Sequence, residues 1–207
     1  MRFSIIIPAY NSAGHIRKAL DSIKAQTYTD YELIVVCDSC TDNTEEIAKE
    51  YGARTEAVSY HADGLTRNRG MELARGDYIL FMDDDDWWLH EYVLQQLADK
   101  IDEVPWADII CFSFIFRHLG YAKPIRKLNG AHWIAAWSKC YRRATIGSSR
   151  FGYRTDGAAD VAFFEGMFSK GLRIYDWDMP LYYYNYWRKD SISETKTYDF
   201  RGRKELL

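Results

Sequence analysis

Four short apolar runs, each ending in polar residues and each separated from the next by an amphipathic stretch, leave the first half of this chain few ways to fold. Residues 3–7, 31–36, 54–59 and 78–82 have the length and composition of strands. Between the first two, Ile16, Ala19, Leu20 and Ile23 recur at the i, i+3, i+4, i+7 spacing of one helix face, with Asn11 or Ser12 as cap. Thr41 or Asp42 opens a second helix that carries Glu45 and Glu46 in its first turn and stops at Gly52. Residues 65–74 form a third, closed by Gly76. A β-α-β-α-β-α-β order predicts an α/β fold with a mainly parallel sheet and helices on both faces. Ligands of such sheets gather at the C-terminal ends of the strands, here residues 8–11, 37–39, 61–64 and 83–86.

The fourth strand runs straight into Asp83-Asp84-Asp85-Asp86-Trp87-Trp88. Adjacent carboxylates 4 Å apart repel by about 1 kcal/mol per pair in water and by roughly 4 at the effective dielectric of a protein surface. A cation relieves that repulsion. In extended backbone the side chains alternate, which sends Asp83 and Asp85 to one side. Mg²⁺ and Mn²⁺ favour oxygen ligands, and Mg²⁺ usually takes one or two carboxylates, leaving its other positions to water and substrate phosphates. The duller alternative is an acidic cap on a helix starting near Trp88.

Composition narrows the function. With 27 basic and 30 acidic residues the net charge is -3, so no chain-wide field favours nucleic acid or an anionic membrane. No run approaches the ~20 apolar residues of a membrane span, and the N-terminal apolar stretch is too short for a signal peptide, so a cytoplasmic location is the default. Four cysteines make no disulfide framework. The Cys37-x-x-Cys40 spacing fits a thiol redox motif, but nothing else suggests a thioredoxin-like unit. The second half reads as a helix over 90–101, a strand over 108–116 with 121–128 beside it, helices over 133–140 and 161–169, and strands over 172–175 and 181–187. Without repeats or a linker, the 207 residues read as one domain whose C-terminal part covers the mouth of the first.

Several stretches, in order, carry a family likeness: 3–11, 38–44, Arg67-Asn68-Arg69-Gly70 with Gly76-Asp77-Tyr78-Ile79, the acidic run, 137–143, 159–164, and 182–184 through 191–193. Together they make the chain resemble the family 2 glycosyltransferases of GT-A fold over nearly all its length. The resemblance implies a nucleotide-sugar-binding half over 1–88 and an acceptor-side half over 89–207. It also implies inverting transfer by single displacement from a nucleoside diphosphate sugar, best a UDP-sugar, to a glycan or lipid-linked saccharide hydroxyl. In that likeness Pro8, Ala9, Tyr10 and Asn11 line the nucleotide, Tyr10 stacks on the base and Asp38 accepts its ring N–H. Arg67 lies by the diphosphate. Asp85 is the direct ligand of Mn²⁺ or Mg²⁺ and Asp83 lies nearer the ribose and metal-bound water, with Asp84 spacing them. Asp86, Trp87 and Trp88 face the sugar or acceptor, Arg188 approaches the diphosphate from a C-terminal loop, and Asp160 is the base that takes the acceptor's proton.

Each role has a plainer rival. Tyr10 can be loop packing, Asp38 and Asp160 helix caps, Arg67 a helix-face charge near Arg69 and Arg75, and Arg188 surface charge. His61 and His132 receive no role. The likeness also breaks at two positions. Cys37 stands where the family usually has an acid, and Ala159 where it commonly has Glu, a loss that removes a like charge beside the base and lowers its pKa. A nucleotide-sugar-binding protein of this fold with lost or altered transfer is therefore the alternative. The chain is short for the family, so an added acceptor-binding or membrane-docking segment is expected to be missing, and peripheral association with the inner face of a membrane is compatible with the reading.

Overall fold

The computed structural model describes residues 1–116, 127–128, 131–132, 135–153 and 159–185. Strands β1 (Phe3–Ala9), β2 (Tyr31–Asp38), β3 (Arg54–Val58) and β4 (Tyr78–Phe81) pair in parallel in the order β3-β2-β1-β4. Helices α1 (Ile16–Lys24), α2 (Thr44–Glu50) and α3 (Asp63–Leu73) alternate with them, as the periodicity predicts. The central strand shows why its sequence is apolar throughout. Phe3, Ile5 and Ile7 pack in a core with Ile16, Leu20 and Ile23 of α1, while Ile6 faces the opposite core with Met71 and Leu73 of α3. A strand covered on both faces needs apolar residues at every position, and each such side chain contributes ~1.5–3 kcal/mol on burial.

Helix starts depart from the expected caps by a few residues. The Ser12 carbonyl accepts the N–H groups of His15 and Ile16, so α1 begins at Ile16 and the Ser12 hydroxyl is left for another partner. At α2 the Asp42 carboxylate accepts the Thr44 N–H at 3.1 Å and its hydroxyl at 2.5 Å.

The second half extends the same sheet. After β5 (Trp87–Trp88) come α4 (Val93–Glu103), β6 (Ile109–Phe116), the short pair β7 (Lys127–Leu128) and β8 (Ala131–His132), a 3-10 turn at Ala136–Ser138, β9 (Lys139–Arg142), α5 (Arg143–Ile146), α6 (Ala159–Phe168) and β10 (Ile174–Tyr184). The full order is β3-β2-β1-β4-β9-β6-β10-β5, with β9 antiparallel to both β4 and β6 and with β6 parallel to β10.

Four expectations are corrected here. Instead of a helix over 133–140, Ala136–Ser138 is a single tight turn and Lys139–Arg142 is a strand, because Cys140 and Tyr141 belong to opposite cores, a period of two. The residues after the acids form β5 rather than a helix, and α4 starts at Val93. The two C-terminal strands are one, β10, whose register shifts around Pro180, a residue with no N–H for the ladder. Of residues 121–128 only the last two are described, and they pair with β8.

Close approach, not turn geometry, demands glycine at position 76. A Cβ there would lie 2.6 Å from both Phe3 C and Ser4 N, and the Gly76 N–H donates to Ser4 Oγ at 2.8 Å. Gly76→Ala is therefore expected to push β4 off β1 at a cost of about 2–3 kcal/mol, lowering Tm by about 4–12 °C for a chain of this size. Thermal unfolding followed by circular dichroism checks it, and an unchanged Tm would contradict the packing.

Candidate active site

The four acids do not lie on an extended strand. Asp86 N–H donates to the Asp83 carbonyl at 3.2 Å, so the run folds into a turn and its side chains diverge to different elements. Asp83 meets Arg67. Asp84 accepts from the Ser12 hydroxyl and lies 3.5 Å from His15 Nε2, which ties the run to the start of α1. Asp86 is fully buried, accepting from the Tyr182 hydroxyl at 2.6 Å and the Asn185 N–H at 2.8 Å. The same Tyr182 oxygen accepts the Asp83 N–H at 3.1 Å. Strand β10 thus holds both ends of the turn.

That arrangement corrects the acceptor-side assignment of Asp86, Trp87 and Trp88. Asp86 has no exposed surface, and burial together with the charges of Asp85 and Asp83 pushes its carboxyl well above the ordinary value. Trp88 is a core residue. Trp87 stacks on Tyr183 at 4.2 Å, with the Lys18 ammonium 3.1 Å from its ring centroid. These residues anchor the turn rather than line an acceptor site. Arg188 lies outside the described residues.

Arg67 is the hub. It projects from α3, is buried, and bonds Asp63 and Asp83 at 2.7 Å each. Its Nε is buried without a hydrogen-bond partner among the described residues. A guanidinium in a fixed fork suits carboxylate or phosphate oxygens. Asp83 is pushed up to about 6, first by burial, against the pull of Arg67 and with Asp85 and Asp84 adding to the rise.

Asp160, in the first turn of α6, reaches the same cluster from the other side. Its Oδ2 accepts the Ala136 N–H at 3.0 Å, and its carboxyl is also pushed up to about 6, by burial first, with Arg67 opposing and Asp83 reinforcing. Packing sets that approach. A Cβ at Gly64 would stand 2.4 Å from the Gly152 carbonyl and 2.9 Å from the Ala159 Cβ, so α3 and α6 touch where both residues are small. Asn68 adds a two-way tie, donating to Phe151 O at 3.0 Å and accepting its N–H at 2.9 Å. Ala159 itself is fully buried, so the missing acid is a packing residue in this chain.

The loops that follow β1 and β2 meet at the C-terminal ends of those strands. Tyr10 is 61 % exposed, so its ring is open to a planar ligand. Asn11 takes a positive φ of 47° and its side-chain oxygen accepts the Thr41 N–H at 2.8 Å. Pro8 is half-buried and Ala9 buried, pairing with Val36 and Cys37. Cys37 faces the core, and the Cys40 sulfur sits 3.4 Å from the Asn11 nitrogen. Asp38 lies at the end of β2. Its two oxygens accept the N–H groups of Tyr60, His61 and Ala62 and the hydroxyls of Ser39 and Thr66, at 2.7–3.0 Å. Burial alone would raise its pKa, yet these donors hold it below the ordinary value. Asp38 thereby fixes the loop before α3.

The residues that the sequence reading passed over are the partners: Asp63, Ser12, His15 and Tyr182. Asp63 was within reach, four residues before Arg67 on the same helix. The others act across 72, 69 and 96 or more positions of chain and leave no local pattern.

A divalent cation fits this donor set in kind. The turn offers carboxylate oxygens, and the charges of Asp85 and Asp84 add to the rise that burial imposes on Asp83. No group of three or more candidate ligands occurs among the described residues.

Comparison with known proteins agrees with this architecture. The family described as Glycosyl transferase family 2 matches residues 4–168. EpsH of Bacillus subtilis, named as a glycosyltransferase, is 31% identical over 176 residues, covering 74% of this chain and 51% of its own. The crystal structure of S. aureus TarS 1-349 in complex with UDP superposes with a TM-score of 0.76 at 25% identity, covering 89% of this chain and 60% of that one. Mannosyltransferase PcManGT from Pyrobaculum calidifontis, in complex with GDP-Man and Mn²⁺, shares the fold at a TM-score of 0.70 and 18% identity, covering 91% and 58%. These likenesses bear out the GT-A architecture. The chain spans 51% and 26% of the length of the first curated relatives it matches.

The raised Asp160 carboxyl has a consequence for stability. An acid at about 6 when folded and near 3.9 when unfolded holds its proton more tightly in the folded state, so its contribution is most favourable below pH 4 and declines up to about pH 6. In metal-free buffer, Asp160→Asn should therefore match the wild-type Tm near pH 4 and gain on it progressively to about pH 6.5. Differential scanning fluorimetry across that range checks the sign, and a difference independent of pH would contradict the assigned shift.

Proposed function

The chain belongs to glycosyl transferase family 2, and on that premise we propose that it transfers a sugar from a UDP-sugar to a hydroxyl of a glycan or lipid-linked saccharide, with inversion, in a single metal-dependent displacement. The observation that carries the proposal is the convergence of Arg67, Asp83 and Asp160 from three separate elements on one cluster at the C-terminal ends of the parallel strands. A relative of the same fold named in complex with UDP supports the choice of nucleotide.

In this reading Tyr10 stacks on the base, and the loop after β3, held by Asp38, borders it. Arg67 sits against the diphosphate, its cation near the charge that grows as the sugar–phosphate bond breaks. Asp85 and Asp83 are the residues that would hold Mn²⁺ or Mg²⁺, which when bound would supply Lewis-acid stabilisation to the same phosphates. Asp160 accepts the proton of the acceptor hydroxyl as its oxygen bonds the anomeric carbon and the UDP oxygen leaves with the bonding pair. A carboxyl at about 6 is mostly ionised at neutral pH yet more basic than an ordinary aspartate, which suits a general base. No described helix is long and apolar enough to cross a membrane. We place the reaction at the cytoplasmic side, with any membrane contact peripheral.

UDP with Mn²⁺ at about a hundredfold its Kd should stabilise the protein by ~2.7 kcal/mol, raising Tm by about 5–11 °C. Asp85→Ala should lose the metal-dependent part of that rise. Asp160→Asn should keep the rise and lose roughly 10²–10⁴-fold of turnover, read as UDP release from a panel of UDP-sugars and saccharide acceptors. Wild-type protein that shows neither the shift nor turnover rejects the proposal. A shift without turnover on any acceptor would favour the nucleotide-sugar-binding alternative.

A further inference from the structure

Lys139 is a charged side chain with 2 % exposure, in strand β9 beneath the first turns of α6. Burying an ammonium is costly unless its hydrogens are bonded and its charge is answered. Lys139 Nζ donates to the Ala135 carbonyl at 2.7 Å and to Ser138 Oγ at 3.1 Å, and it lies 4.6 Å from the centroid of the Phe164 ring. Ser138 Oγ in turn donates to the Ala135 carbonyl at 3.3 Å. The Ala135 carbonyl and the Ala136 N–H belong to one peptide group, planar and trans, so they point in opposite directions. The N–H end bonds Asp160 Oδ2 at 3.0 Å. A single peptide unit therefore lies between an ammonium at its oxygen and a carboxylate at its hydrogen. Such a chain polarises, and each bond strengthens the other.

We propose that Lys139 is a positioning residue for the base: through the Ala135–Ala136 peptide it holds the Asp160 carboxylate in one orientation and favours its ionised form. The role as base rests on the reading above. The peptide coupling does not. The charged and titratable groups that bear on the pair are Cys111 from β6, Asp176 from β10, Arg67 and Asp63 from α3 and Asp83 after β4. None of them replaces the bond to Ala135. Tyr141, on the same strand, donates to the Ala136 carbonyl at 3.2 Å and keeps the turn in place when the ammonium is removed.

Lys139→Met keeps the length and removes both donor and charge. Its turnover should fall roughly tenfold or more, with the KM for the UDP-sugar within about twofold of wild type. The acidic limb of its kcat profile should move up by about one pH unit, because Asp160 loses a nearby positive charge, and its Ala136 N–H donor loses the polarisation that charge supplies through the peptide. A purely structural role would lower activity without moving that limb, and either an unmoved limb or unchanged kcat overturns the proposal. A wild-type measurement covers the case in which Lys139→Met fails to fold. In a ¹⁵N-resolved titration the Ala136 amide shift should show two inflections, near the values of about 6 for Asp160 and about 8 for Lys139, and the lower one should vanish in Asp160→Asn. One inflection only, absent any response near the lysine's value, overturns the coupling. Wild-type protein with two inflections but no turnover would instead reject the transfer reading and leave the coupling standing.

Discussion

One buried cation among several half-buried carboxylates governs this molecule. Arg67 is bonded to Asp63 and Asp83 and feels Asp160, so at neutral pH the cluster carries more negative than positive charge. Isolated, such a set would neutralise itself by taking up protons, and the raised carboxyls of Asp83 and Asp160 show that tendency. The fold holds the set together by steric means. Gly64 against Ala159 and the paired bonds of Asn68 with Phe151 press α6 onto α3 irrespective of charge. The result is a site in which packing holds together carboxyls whose protons are bound more tightly than usual. That is the usual relation between stability and function at an active site.

The legible part of the sequence was whatever repeats locally. The alternation of β1 through β4 with three helices follows from periods of 2 and 3.6, and the acids fall at the end of β4 as expected. The likeness of residues 67–70, 83–86 and 159–164 to one family pointed to Arg67, Asp83 and Asp160, which the structure brings into one cluster. What stayed hidden was decided by long-range partners. The resemblance made Asp38 a nucleotide contact, and the bonds its oxygens also accept from the loop at residues 60–62 are ones no local pattern reveals. Residues 133–140 look helical because Trp, Ile and Ala crowd together, yet the two cores on either side of β9 impose a strand. The aromatics after the acids look like a sugar platform, and they are instead the edge strand that locks the turn.

The two departures from the family pattern acquire physical content. Cys37 packs in the core beside α1 and α2, so the position is closed to solvent. Ala159 is buried at the contact with Gly64, where a Cβ on the glycine would stand 2.9 Å from the Ala159 Cβ. Both are parts of how this chain packs.

Tyr182 gives the turn a property of a different kind. Its hydroxyl sits between the Asp83 N–H and the Asp86 carboxylate, so the span of the acidic turn is gauged by one phenol oxygen carried on a strand almost a hundred residues away. The donor-side half is consequently not a module that can be exchanged alone. A chimera that grafts the first four strands and their acids onto another acceptor half would have to bring β10 and its tyrosine with it, or accept a turn of different width.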